Sequence, residues 1–276
     1  RKLHAASQLI GGLASERKRW TADLESMAEV KKRLVGDCLL CAAFVSYAGP
    51  FNHEFRTQMT YMTWQGMVSE KAIEKTENFK LDTLLTSDVE IAAWSGHGLP
   101  SDELCVQNGI LVMRSSRWPL CVDPQMQIVT WIKSKEEKAG LITKTFNDDF
   151  IKFVELAVMY GKPFLFENLD EELDPMIDPV LEKRYVAENG VKMITLGDNK
   201  IEWNDSFMLM LTTKLSNPRY TPEIMGKVSI VNCVITLEGL AAQLLNVVVG
   251  FERPDLEEMR QNLVQQMSAD RQVIKQ

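Results

Sequence analysis

The sequence predicts an α/β fold in which a parallel sheet lies between two layers of helices, with a coiled-coil helix at each end of the chain. Through the middle, short apolar runs rich in strand-forming residues alternate with helical stretches, which is typical of a doubly wound sandwich. One run, Phe164-Leu165-Phe166, is apolar without interruption, as expected for a strand buried on both faces of a parallel sheet. At both ends, apolar residues recur every three or four positions.

The composition is that of a globular protein. The 276 residues are 45% hydrophobic and carry 31 Lys and Arg against 38 Asp and Glu, a formal charge of −7. This balance disfavours a general nucleic-acid binder, which needs clustered basic charge. No apolar run reaches the roughly 18–20 residues of a membrane span, so no membrane partner is expected. Five scattered cysteines fit a reducing compartment better than a disulfide scaffold.

Residues 1–35 form the first predicted unit, a coiled-coil helix. Positions spaced alternately by three and four residues are apolar at Leu3, Ala6, Ile10, Leu13, Trp20, Leu24, Met27 and Leu34, while Arg17 and Lys31 occupy the two remaining positions of the series. Such spacing predicts a narrow coiled-coil seam, although an amphipathic helix folded onto its own domain is the alternative. Gly11-Gly12 costs about 2 kcal/mol of helix propensity, so a weak or bent point is expected there. The segment has a net charge of +4, which leaves −11 for the rest of the chain.

Residues 36–251 form the second predicted unit, the α/β domain. The predicted strands are Gly109–Met113, Pro119–Val122, Lys162–Glu167, Phe207–Leu211 and Val228–Ile235. The predicted helices are Gly36–Tyr47, Phe51–Lys71, Asn147–Tyr160, Asp178–Glu182 and Leu237–Gly250, with a further helix carrying Trp131-Ile132-Lys133. Asn147 followed by two aspartates is a helix start signal, and Gly161-Lys162-Pro163 is a stop signal. Residues 252–276 are predicted to form a second amphipathic helix after Pro254.

The loop after the strand Pro119–Val122 lies where a phosphate-binding loop, GxxxxGK[ST], would be expected. Eight residues stand in that pattern: Asp123, Pro124, Gln125, Met126, Gln127, Ile128, Val129 and Thr130. Asp123 replaces the first glycine, Ile128 the second and Val129 the lysine, and only Thr130 keeps its type. The glycines let backbone N–H groups wrap phosphate oxygens, and the lysine reaches the β- and γ-phosphates. A carboxylate without the lysine is expected to repel a nucleotide.

The next two strands also end in altered site residues. Phe164-Leu165-Phe166 ends in Glu167-Asn168, where an ATPase of this type would have Asp-Glu to hold Mg²⁺ and orient water. The strand Phe207–Leu211 leads to Thr213 and Lys214, at the position of a γ-phosphate sensor. The acidic run after Asn168 is either solvated loop charge, which we favour, or a set of divalent-metal ligands.

Taken together, these segments resemble the dynein heavy chain family, specifically the fifth AAA+ module of its six-module motor ring. The matching stretches are Leu9–Leu13, Leu99–Asp102, Gln107–Ile110, Trp118–Gln125, Gly161–Asn168, Leu211–Pro218, Tyr220–Glu223 and Glu252–Leu256. They follow the family order over essentially the whole chain. Tyr47-Ala48-Gly49-Pro50-Phe51 is more similar to axonemal than to cytoplasmic heavy chains.

The resemblance implies a role for each unit. Residues 1–35 would be the distal end of the returning strand of the antiparallel stalk coiled coil, just below the microtubule-binding tip. Residues 36–251 would be the large AAA+ subdomain with its three-layer sandwich, and 252–276 the start of the buttress helix. The fifth module of this family is taken not to bind nucleotide, so no cofactor is expected here, with ATP and Mg²⁺ at other modules. Lys227 would lie near the position of an arginine finger that reaches a neighbouring module; a plain surface lysine is the alternative.

The function implied is mechanical. The chain would be part of an axonemal dynein motor in a cilium or flagellum, relaying ATP-driven ring motion to the microtubule-binding stalk. Its partners would be neighbouring AAA+ modules, the other stalk helix and, through the parent chain, the microtubule. Two alternatives stay open: an active ATPase module with a divergent loop, and a coiled-coil scaffold whose α/β domain binds a partner protein.

Overall fold

The computed structural model of the protein describes residues 2–146, 149–188, 190–235, 237–255, 259, 263 and 266, with side chains from Glu16 onward. The helices are α1 (Lys2–Tyr47), α2 (His53–Thr57), α3 (Gln65–Glu70), α4 (Leu81–Leu85), α5 (Asp88–Gly96), α6 (Glu103–Arg114), α7 (Gln127–Glu136), α8 (Phe150–Tyr160), α9 (Asp178–Leu181), α10 (Pro222–Lys227) and α11 (Leu237–Glu252). A π-helical segment, Gln58–Trp64, joins α2 to α3, and short 3₁₀ turns lie at Glu137–Ala139 and Pro175–Ile177.

The strands form two sheets. They are β1 (Trp118–Val122), β2 (Ile142–Lys144), β3 (Pro163–Phe166), β4 (Val186–Glu188), β5 (Val191–Leu196), β6 (Asn199–Glu202), β7 (Met208–Thr213) and β8 (Val228–Asn232). The main sheet is parallel throughout, in the order β2-β3-β7-β1-β8. β4, β5 and β6 pair antiparallel in a small second sheet inserted between β3 and β7.

Apolar clusters cover both faces of the main sheet, as the period of two along a strand requires. Phe164 and Phe166 of β3 face a cluster with α8, α9 and the small sheet, whereas Leu165 between them faces a cluster with α1, α6 and α7. All three side chains are fully buried. The predicted three-layer α/β sandwich with a parallel sheet is therefore confirmed.

The order of the strands determines where a ligand site would lie. From β1 the chain crosses through α7 to β2 at one edge of the sheet, while β8 joins β1 on the other side. In open α/β sheets, ligands bind beyond the carboxyl ends of the strands at such a switch point. Here that position is the loop that follows β1.

The first helix is longer than predicted. α1 runs unbroken from Lys2 to Tyr47, so the helix predicted at Gly36–Tyr47 is confirmed but is continuous with the helix predicted over 1–35, and it continues through Gly11-Gly12. Side chains 17–35 are all exposed, whereas Leu40 and Phe44 are buried in the body. The same helix is therefore solvated in its first part and packed in its last three turns.

The strand predicted at Gly109–Met113 is also wrong, because these residues lie in α6. Asp102 caps that helix by accepting a hydrogen bond from the Cys105 N–H at 3.1 Å. Gly109 is in the helix interior because a Cβ there would lie 2.8 Å from the Trp94 ring of α5. The glycine allows close helix packing and does not mark a turn.

Several boundaries differ from prediction and some elements were not predicted. β8 ends at Asn232, before the predicted Ile235, and the helix predicted over Phe51–Lys71 contains the π-helical segment. Gly161 ends α8 in a left-handed conformation, φ +65°, as predicted, whereas Asn147 lies outside the described residues. The sequence did not predict α5, β2 or the small sheet. In the described part of the chain, no helix is long and apolar enough to cross a membrane.

Candidate functional site

The loop between β1 and α7 is short. It comprises Asp123 to Met126, and Met126 adopts a left-handed conformation, φ +59°, that turns the chain directly into α7 at Gln127. Ile128 and Val129 therefore lie in the first turn of the helix, with their side chains buried in the core. The positions aligned with the second glycine and the lysine are thus core positions.

Asp123 fills the anion position at the start of α7. Its buried carboxylate accepts hydrogen bonds from the Gln127 N–H at Oδ1 and the Val129 N–H at Oδ2, both at 3.0 Å. Burial raises the pKa of this carboxyl, and the backbone N–H groups of Val129, Gln127, Ile128 and Met126 oppose that rise. These are the helix N-terminal donors that a phosphate would use. In this chain they are already bonded to a carboxylate.

The remaining loop residues make local contacts. Thr130, which keeps the expected residue type, is exposed and donates its hydroxyl proton to the Met126 carbonyl at 2.8 Å. Pro124 and Gln125 form the turn itself. The Gln127 side chain accepts a weak hydrogen bond from the Cys105 thiol at 3.5 Å.

Glu167 and Asn168 follow β3, two strands away from β1. The Glu167 carboxylate forms an ion pair with Lys133 of α7, with Nζ and Oε1 2.5 Å apart. Asn168 has a left-handed backbone, φ +55°, and lines an open cavity of about 880 Å³ beside Asp170, Glu171 and Glu172. Among the described residues, no group of three or more His, Cys, Asp or Glu side chains is arranged to hold a metal ion.

Thr213, at the end of β7, lies between these two positions. Its hydroxyl donates to the Leu169 carbonyl at 2.6 Å and accepts from the Leu215 N–H at 3.2 Å. Its own carbonyl accepts the Asp123 N–H at 2.9 Å, which joins the loops after β1 and β7. The neighbouring Lys214 is exposed.

Lys227 is bound to carboxylates of its own chain. Its amine lies 2.9 Å from Asp178, 2.6 Å from Glu223 and 3.9 Å from Glu182. The hydrogen bonds that the Lys227 amine donates to Glu223 and to Asp178 raise its pKa. The Lys227 amine therefore lies between α10 and α9 and forms ion pairs with carboxylates of its own chain.

The fold thus brings Asp123, Glu167 and Thr213 to the carboxyl ends of adjacent strands, as the sequence predicts. Each of the three has a partner within the chain. Sequence reasoning missed Lys133, because it is recognisable as a site residue only once α7 is known to carry it back towards β3.

Comparison with known proteins identifies the family. Residues 92–276 match the family model described as the ATP-binding dynein motor region, and residues 1–68 match the microtubule-binding stalk of the dynein motor. The chain is 50% identical over 276 residues to dynein axonemal heavy chain 10 of Homo sapiens, covering 100% of the chain. It is 54% identical over 274 residues to the dynein-1-alpha heavy chain of the flagellar inner arm I1 complex of Chlamydomonas reinhardtii, covering 98% of the chain.

The chain spans 6% of the length of each of these relatives. The similarity covers both the stalk-like helix and the α/β body, and the predicted resemblance to the dynein heavy chain family is confirmed. The chain belongs to the dynein heavy chain family.

Proposed function

We propose that this chain is a nucleotide-silent AAA+ module, the fifth, of an axonemal dynein heavy chain, and that it relays motion of the motor ring to the microtubule-binding stalk. The named relatives are axonemal and flagellar heavy chains, which supports a place in the cilium or flagellum. In this proposal the parent chain hydrolyses ATP with Mg²⁺ at other modules. The partners of this module are its ring neighbours, the second stalk helix and, through the parent chain, the microtubule.

The observation that carries the silent assignment is the bonding of Asp123. A triphosphate needs free N–H groups at the start of α7, and the Asp123 carboxylate holds two of them at 3.0 Å. A bound triphosphate would also place its negative charge next to the buried negative charge of the Asp123 carboxylate. Because position 129 is Val and not Lys, no positive charge there offsets this repulsion. The residues present therefore fit MgATP poorly.

The other two site positions support the same proposal. A Mg²⁺ ion needs the Glu167 carboxylate as a ligand, and Lys133 already neutralises that group at 2.5 Å. A sensor must present a free hydroxyl to the γ-phosphate, but the Thr213 hydroxyl is engaged with Leu169 and Leu215. The chain supplies its own anion for the helix terminus and its own cation for the acid.

The relay role is supported by the course of α1. Residues 17–35 expose Trp20, Leu24 and Met27 by 61–68%, which is a stripe suited to a second helix. From Gly36 onward the same helix packs on the body. We therefore assign 1–35 to the stalk, 36–251 to the large subdomain and 252–276 to the start of the buttress. A continuous helix across the first boundary is what mechanical relay requires.

Calorimetric titration of the purified chain with MgATP tests the silent assignment. We expect no saturable heat for the wild type or for Asp170→Gly, which removes an exposed acid beside the site as a matched control. Asp123→Gly, which frees the N–H groups of Gln127 and Val129, is expected to bind more tightly than either. Micromolar affinity of the wild type would overturn the proposal in favour of an active ATPase module.

A further inference from the structure

Arg56 of α2 is a fully buried arginine outside the candidate site. Its guanidinium donates four hydrogen bonds: Nε to the Ala48 carbonyl at 3.0 Å, Nη1 to the Asn108 side-chain oxygen at 2.7 Å, and Nη2 to the Gly49 and Asn232 carbonyls at 2.8 and 3.0 Å. None of the ion pairs in the described part of the chain includes this arginine. Its partners are neutral oxygens.

These acceptors belong to three different elements. Ala48 and Gly49 form the turn in which α1 ends, Asn232 is the last residue of β8 on the way to α11, and Asn108 lies in α6. The guanidinium therefore connects the exit of the stalk-like helix to the strand that leads into the C-terminal helix. α6 anchors it from a third side.

The turn after α1 lies directly on β8. The Asn232 N–H donates to the Gly49 carbonyl at 2.9 Å, and a Cβ at Gly49 would lie 2.1 Å from the Ile230 carbonyl oxygen. Only glycine permits so close an approach. The two segments that Arg56 joins are thus in backbone contact.

A buried charge without a carboxylate is costly, so its presence needs a reason. Burial lowers the pKa of the Arg56 guanidinium to about 10, which still leaves it charged at neutral pH. Removing an ion from water costs several kcal/mol, and this cost is not recovered from an opposite charge. The planar guanidinium holds several acceptors at fixed angles, which the point charge of a lysine does not.

We propose that Arg56 is a positioning residue that fixes the direction of α1 relative to β8 and the segment that follows it. With the guanidinium in place, the end of α1 and the end of β8 move with the body as one rigid unit. The proposal rests on the proposed relay function. It assigns to one residue the joint between the end of α1, the end of β8 and α6.

The test uses the complete dynein heavy chain that contains this segment. Arg56→Lys keeps the positive charge but lacks the planar donors. Val154→Ala is the control, because it removes methyl groups from the α8 cluster, whereas the end of α1 packs in the other core cluster. Both variants are compared with wild type for thermal midpoint, basal ATPase rate and the ratio of microtubule-stimulated to basal rate.

We expect Arg56→Lys to keep the wild-type basal ATPase rate, while its ratio of microtubule-stimulated to basal rate falls about threefold to tenfold. Val154→Ala is expected to keep the wild-type stimulation ratio although its thermal midpoint is lowered about as much as that of Arg56→Lys. A wild-type stimulation ratio in Arg56→Lys would overturn the positioning role proposed for Arg56. Arg56→Gln, which retains an amide donor, is the second variant and carries the same expectations.

The two proposals fail in different ways. ATP binding by the wild-type chain in calorimetry would overturn the nucleotide-silent assignment and would not change the expectation for the Arg56 variants. A stimulation ratio unaffected by either Arg56 variant bears on the joint alone.

Discussion

Asp123 is bonded to the backbone of the helix that follows it, so the anion at the start of α7 is part of the chain. Both carboxylate oxygens are used, at 3.0 Å each, and the group is buried. Negative charge at a helix N-terminus is stabilising, and a side-chain cap satisfies N–H groups that would otherwise lack partners. The carboxylate therefore stabilises the same turn whose nucleotide-binding residues it replaces.

Asp123→Ala is expected to lower the free energy of unfolding by about 1 kcal/mol, because two helix N-terminal N–H groups lose their acceptor. Urea denaturation of the purified chain measures the change. Asp170→Ala, an exposed acid beside the site, is the control and is expected to change stability by less than about 0.5 kcal/mol.

Sulfate adds a second readout to this comparison. It is expected to stabilise Asp123→Ala more than Asp170→Ala, since the ion can occupy the vacated helix terminus. Equal stability and equal response to sulfate in the two variants would contradict the role assigned to the Asp123 carboxylate.

The sequence identifies Asp123 as the altered residue but predicts only repulsion. Its bonds to Gln127 and Val129 depend on a four-residue loop and on the left-handed Met126, which turns α7 towards the carboxylate. A non-glycine residue in that conformation has no reliable signal in a single sequence. Arg56 was missed for a similar reason, because its acceptors are backbone carbonyls from distant segments.

At the scale of elements, an apolar run predicts a strand or a helix only when the residues that flank it in sequence are also considered. β1, β3, β7 and β8 were predicted because each run is short and bounded by turn residues. The run at Gly109–Met113 has the same appearance, but it belongs to α6, whose start is set by Asp102. β2 has three half-buried residues and α5 only a weak apolar face, so neither gives a clear period.

Two helix glycines give a test of the packing assigned to α6. Gly109→Ala is expected to lower the unfolding free energy by about 1–3 kcal/mol, because the new Cβ would lie 2.8 Å from the Trp94 ring. Gly66→Ala in α3 meets no atom within 4 Å and is expected to raise it by about 0.5–1 kcal/mol through helix propensity. Thermal denaturation followed by circular dichroism distinguishes the two. A stabilising Gly109→Ala would show that α5 and α6 are not closely packed there.

For the whole molecule, charge and packing divide the chain at the same place. Residues 1–35 carry +4 and the remainder −11, and the side chains are exposed throughout 17–35, whereas buried residues begin at Gly36. The sequence predicts a division at this place from composition and periodicity. It does not predict the small sheet of β4 to β6, whose strands have three to six residues and whose pairing depends on local turns.

The purified chain is expected to be monomeric at micromolar concentration, because the stripe on α1 is proposed to pair with another segment of the same heavy chain. Light scattering measures the mass, with Leu24→Glu as the control that breaks the stripe. Equal masses for the two proteins support the assignment. A wild-type dimer that Leu24→Glu dissociates would favour the coiled-coil scaffold.

The pairing of Lys133 with Glu167 has a consequence for how the module responds to its surroundings. A cation that is covalently part of the chain is present at one equivalent at all times and cannot be diluted, exchanged or chelated. The same holds for the carboxylate at the start of α7. Under the nucleotide-silent role that we propose, the geometry of this edge of the sheet is therefore expected to be independent of the ratio of ATP to ADP around it and to respond only to force transmitted through its neighbours.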